Sequence, residues 1–186
     1  MERKQPTEPV TDMAKFMDFA NGKIASDHLA AIGTVAAKWS LFEALIDTAS
    51  VRLARITPEI GVCFTAQIAG SARKLDAYIS LSRFRHISEE MIADLTRFAK
   101  KTHDLSLMRN RIIHDVWVFD ASMSPQRLEV TAKQVSKIES VSMSTREVMD
   151  FADRLDRHTK RFENYADTIE ARGEAPPAIP LPDIRR

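Results

Sequence analysis

The stretch from Ser26 to Ile56, SDHLAAIGTVAAKWSLFEALIDTASVRLARI, decides the fold class. Apolar residues recur in it at Ile32, Val35, Trp39, Phe42, Ile46, Ala49, Leu53 and Ile56. Steps of three and four alternate, which is the spacing of a helix with one buried stripe. Ser26 or Asp27 supplies an N-cap. Thr57-Pro58-Glu59 follows at once as N-cap, Pro at the first helical position and an acidic first turn, so a second helix starts almost without a loop. The first two helices are then expected to be antiparallel neighbours. The second carries Ile60, Phe64, Gln67/Ile68, Ser71, Leu75, Tyr78 and Leu81 on one stripe, and Ala69, Gly70, Ser71 and Ala72 at its centre permit close helix packing.

Ser88 with Glu89 and Glu90 caps a third helix whose apolar positions include Met91/Ile92, Leu95, Phe98, Leu105, Met108 and Ile112, ending near His114. Val116–Phe119 and Leu128–Val130, separated by a polar loop containing Pro125, read as the two short strands of a hairpin. Ser144-Thr-Arg-Glu147 is a capping box. Behind it Val148, Phe151, Leu155, His158, Phe162, Tyr165 and Ile169 form a fourth stripe, closed by Gly173. The expected fold is therefore all-α: an up-and-down four-helix bundle over residues 26–172, with a small β-hairpin between helices 3 and 4. Residues 1–25 are expected to form an N-terminal segment that is partly disordered or holds a short helix around Thr11 to Ala20, and 173–186 a Pro-rich tail expected to be disordered.

Composition narrows the function. The chain has 186 residues, enough for one domain with a substantial core, and its 5 Gly and 8 Pro are few, as long helices require. A single cysteine, Cys63, excludes an intrachain disulfide framework and a Cys-rich zinc site, and fits a reducing, cytoplasmic setting. The first residues carry charge with no apolar stretch behind them, unlike a secretory signal. No uninterrupted apolar run approaches the ~20 residues of a membrane span, and no membrane partner is expected. Neither a phosphate-binding glycine loop, a histidine pair at zinc spacing nor a serine-hydrolase elbow is present, so no metal or cofactor is expected.

The net charge of +1 conceals an uneven distribution. Between Arg73 and His114 nine Lys and Arg face five Asp and Glu, a balance of +4, whereas the rest of the chain sums to −3. A basic segment of this kind attracts phosphates. It contains the one constellation with evident chemistry, Arg109-Asn110-Arg111-Ile112-Ile113-His114-Asp115. On an ideal helix Asn110 and His114 share a face one turn apart, and Arg109 lies about 140° round the axis from His114. A guanidinium grips phosphate oxygens bidentately, and an imidazole titrating near neutral pH can move a proton. Asn110 can orient the imidazole or bind a ribose or phosphate oxygen. Arg97, Lys100, Lys101 and Arg111 are the candidate RNA-binding residues around them.

This heptapeptide resembles the signature of the HEPN superfamily, whose ribonucleases carry an arginine, a polar residue, three to five further residues and a histidine. Arg109, Asn110 and His114 match in the short spacing, and the resemblance covers roughly Asp27 to Glu170. Arg97 and His103 also stand at a permitted spacing, but Phe98 follows that arginine. The resemblance implies a helical bundle with the motif late in its third helix, acting as a metal-independent endoribonuclease. Arg109 would bind phosphate, His114 would act as general acid/base and Asn110 would support them. Each chain supplies one motif histidine, so the resemblance further implies a homodimer whose two motifs line one cleft, with RNA as substrate. A toxin or defence role, with an antitoxin or regulatory protein as partner, goes with it. The rival reading is a non-catalytic helical module that binds nucleotide, RNA or protein. In it His114 merely faces the helix dipole and Asp115, and Arg109 pairs with Asp104 or a carboxylate on another helix.

Overall fold

A computed structural model of the chain describes residues 24–119, 124–133 and 135–172, with side chains described for these except 130–138. The expected helix at Thr11 to Ala20 and the tail 173–186 lie outside the described residues. The protein is mostly helical with a small antiparallel sheet. Helices α1 (Ser26–Ala54), α2 (Pro58–Thr65), α3 (Ser71–Phe84) and α4 (Glu89–His114) precede strands β1 (Val116–Phe119), β2 (Pro125–Lys133) and β3 (Val135–Ser142), and α5 (Thr145–Arg172) follows. The chain divides into two compact units, one of Met1–Phe42 with Asp104–Thr159 and the other of Glu43–His103 with Lys160–Arg186.

In the first unit, Ala31, Val35, Trp39 and Phe42 from α1, Leu105 and Ile112 from α4, and Val148, Phe151 and Leu155 from α5 are buried. The expected two-stranded hairpin is instead a three-stranded sheet in the order β1-β2-β3. Pro125, expected in a loop, is the first residue of the central strand and sits opposite Phe119. A proline is tolerated there because a strand's first residue can forgo its N–H, and its carbonyl accepts from Met143 N at 3.2 Å. β3 escapes a periodicity search because neither parity of VSKIESVS is apolar, so only pairing with β2 makes it a strand. The capping box forms as expected: Ser144 Oγ accepts from Glu147 N at 3.2 Å, and Ser144 N donates to Glu147 Oε2 at 2.7 Å.

The second unit buries Ile46, Ala49 and Leu53 of α1, Leu75, Tyr78 and Ile79 of α3, Ile92, Leu95 and Phe98 of α4, and Phe162 and Ile169 of α5. Tyr78 stands edge-on to Phe162 at 5.3 Å, and Phe98 lies 5.9 Å from the same ring. The single helix expected from Thr57 to Leu81 is in fact two, α2 and α3. Gly70, at φ +81°, is the break, a left-handed conformation that costs glycine little and other residues much. Of the small residues expected to ease mid-helix packing, Ala69 and Gly70 therefore lie in the connection and Ser71 and Ala72 begin α3. Ile60 and Phe64, expected in the buried stripe, are half exposed or more, and Cys63 is exposed. α1 and α3 end without glycine. Arg55 and His86 take left-handed φ of 57° and 55°, and Ile56 N and Ile87 N reach back to Val51 O and Ser82 O, the six-to-one bond of a Schellman ending.

Gly61 is buried in α2 because α1 passes close to it. An added Cβ would meet Val51 Cγ2 at 2.3 Å, and the β-branched valine has little freedom to turn away. Gly61→Ala is expected to lower unfolding free energy by about 1–3 kcal/mol, read as an earlier urea midpoint at unchanged slope. An unchanged midpoint would mean that α2 yields without cost.

Taken as a whole helix, α1 is long and apolar enough by length and composition to cross a membrane, although no uninterrupted apolar run in it is. Its alternating buried stripe is the pattern of a core helix.

Candidate functional site

α4 ends at His114 because the next residues are a strand, and the turn between them is held by side chains. Trp117, at the second position of β1, folds back and donates its indole N–H to the carbonyl of Ile112 at 2.8 Å. That carbonyl belongs to the last helical turn, where no intrahelical donor remains. Ile112 is fully buried and Trp117 nearly so, while Met108 and Ile113 are half-buried, so the apolar side of this turn is anchored. Asn110 and His114, one turn apart on the other side, are both exposed.

Arg109 is half-buried. Its guanidinium lies over the Trp39 ring of α1, 5.9 Å from the centroid, and its Nη1 donates to Asn110 Oδ1 at 2.9 Å. Its Nε is buried without a hydrogen-bond partner among the described residues. The structure thus joins Arg109 to Asn110 directly, not to Asp104. Trp39 was expected to be core, and it is, with the added role of a platform for this arginine.

Asp115 does not serve His114. It accepts from Nη1 of Arg127, which comes from β2 and is 4% exposed. Nη2 of Arg127 lies 3.6 Å from Glu129 Oε2, and Glu129 also pairs with Arg111. Four alternating charges therefore clamp the end of α4 to the middle strand. Arg111, the fourth of the candidate RNA-binding residues, has its guanidinium paired with Glu129 within the protein. Of the other three candidate RNA-binding residues, all exposed and all in the second unit, Arg97 pairs with Asp94 three residues earlier, whereas Lys100 and Lys101 make no ion pair among the described residues. Among the described residues no three His, Cys, Asp or Glu side chains gather as a metal site.

His28 carries no sequence signal beyond its place in α1's first turn, yet it is fully buried beside β1. Its ring stands edge-on to Trp117 at 4.3 Å and to Phe119 at 5.9 Å, and Nδ1 lies 3.1 Å from Thr145 Oγ1 at the start of α5. Nε2 has no partner. With the proton on Nδ1, Nε2 is only an unpaired acceptor; protonating the ring would bury an N–H with nothing to receive it. Burial accordingly pushes the His28 pKa below 6.5, against a smaller upward pull from Asp27. A folded pKa below the unfolded one means that the unfolded chain takes up the proton first. Stability is then full above pH 6.5 and declines as pH falls below it. In thermal melts from pH 7.5 to 5.5, wild type is expected to lose more Tm than His28→Gln. Parallel losses would show that another group governs acid stability.

Comparison of the chain with known protein families, with curated proteins and with solved structures finds no match.

Proposed function

We propose that the protein is a HEPN-like, metal-independent endoribonuclease that cleaves RNA through the ribose 2′-hydroxyl. The observation that carries this is the end of α4, where Asn110 and His114 stand exposed one turn apart and Arg109, steadied by Trp39, is bonded to Asn110. In the proposed reaction a base takes the 2′-hydroxyl proton, the freed oxygen attacks phosphorus, and an acid protonates the departing 5′-oxygen. Arg109 offsets the charge that builds on the phosphate, and Asn110 holds Arg109 or a ribose oxygen. One chain offers a single motif histidine for two proton transfers. The proposal therefore includes a homodimer in which two His114 side chains share a cleft, on an up-and-down helical bundle with the sheet inserted before its last helix. It also places the protein in the cytoplasm, as a toxin or defence component held by an antitoxin or regulator. The test is cleavage of single-stranded RNA in EDTA by wild type and by His114→Ala. RNA bound but left intact by wild type would replace the nuclease with a binding module.

A further inference from the structure

α3 and α4 of the second unit enclose a trough of about 540 Å3. One wall is the α3 stripe Ala72, Asp76, Ile79, Ser80 and Arg83; the other is Thr96, Ala99, Lys100 and His103 of α4. Ile79 forms a buried apolar floor, and the charged residues on both walls are exposed. Neither Arg83 nor Lys100 makes an ion pair among the described residues, in contrast to Arg97, which Asp94 neutralises. Ser80 and Thr96 spend their hydroxyl protons on backbone carbonyls one turn back, so the cationic side chains left to meet a ligand are those of Arg83 and Lys100, opposed by Asp76.

We infer that this trough binds the phosphate backbone of single-stranded RNA. Two cationic side chains along a groove whose described lining holds no Phe, Tyr or Trp suit a chain of phosphates better than a base or an apolar ligand. From Ala72 to Arg83 the wall runs about 16 Å at the helical rise, long enough to meet more than one phosphate of an extended strand. Arg83 offers a bidentate grip on one phosphate and Lys100 a point charge for another. Asp76 sets the sign of a further test, because its carboxylate repels what the cations attract. Of the residues that sequence charge alone singles out for RNA, only Lys100 lines the trough; Arg83 and His103 join it through the pairing of the two helices.

The inference rests on RNA as the ligand but not on its cleavage. The experiment accordingly uses a fluorescent 2′-O-methyl oligouridylate, which lacks the nucleophile of the proposed reaction. Arg83→Ser/Lys100→Ser should weaken binding about tenfold or more at low salt and flatten the log-log salt dependence by about 1.4, at roughly 0.7 per lost phosphate contact. Asp76→Asn should tighten binding severalfold. All these positions are exposed, and unchanged thermal melts will show that the variants are folded. The inference is overturned if the double variant binds as wild type does, if Asp76→Asn weakens binding, or if wild type fails to bind. Displacement of the oligonucleotide by low millimolar inorganic phosphate at constant ionic strength would overturn it too, by assigning the trough to a single phosphate group.

Discussion

His114→Ala is expected to lower the rate of RNA cleavage by roughly two to four orders of magnitude, the usual worth of a positioned general acid or base. His114 is exposed in the last turn of α4 and makes no ion pair or hydrogen bond among the described residues, so its loss should leave the fold intact. The effect should fall on kcat more than on KM, since binding of phosphates rests on the cations. Arg109→Lys is expected to be damaging as well. Lysine keeps the charge but not the planar fork that rests on Trp39 and donates to Asn110. Gel assays in EDTA with unchanged circular dichroism would establish both. Equal cleavage by wild type and His114→Ala would remove His114 from the chemistry.

Arg127→Ala should cost about 3–5 kcal/mol of stability, the penalty for removing one partner from a buried ion pair. The Arg127 side chain is 5% exposed and those of its acidic partners Asp115 and Glu129 are 22% and 21% exposed. Its removal leaves two partly buried carboxylates with Arg111 alone to offset them. Against a total of roughly 5–15 kcal/mol for a typical protein, this is a large fraction. Urea denaturation reads it directly. Arg127→Met/Asp115→Asn should lose less than the two single changes together, because the second change removes a charge that the first one strands. A loss under about 1 kcal/mol for Arg127→Ala would mean that water replaces the guanidinium freely. The two variants probe different features of the same helix end: His114 faces solvent, and Arg127 keeps that end attached to the sheet.

Much of this was legible along the chain. The stripe Val35, Trp39, Phe42, Ile46, Ala49, Leu53 is buried as its spacing requires, and so are Val148, Phe151, Leu155, Phe162 and Ile169 of α5. Helix periodicity and caps are local properties, written in residues three or four apart. The break at Gly70 was less legible, because a glycine among small residues fits both a tight helix contact and a left-handed turn. β3 was not legible at all, since a strand without apolar alternation is defined by its partner.

The candidate site divides in the same way. Its residue types and the one-turn spacing of Asn110 and His114 follow from sequence alone, because a helix converts spacing into direction. Tertiary structure alone decided that Asp115 belongs to Arg127, that Arg111 is taken by Glu129, that Trp39 lies under Arg109, and that His28 is buried beside Trp117. These partners are 12, 18, 70 and 89 positions apart in the chain. No local pattern records contacts across such separations; they exist only once packing has brought helix and strand together and excluded the water that would otherwise have solvated each charge.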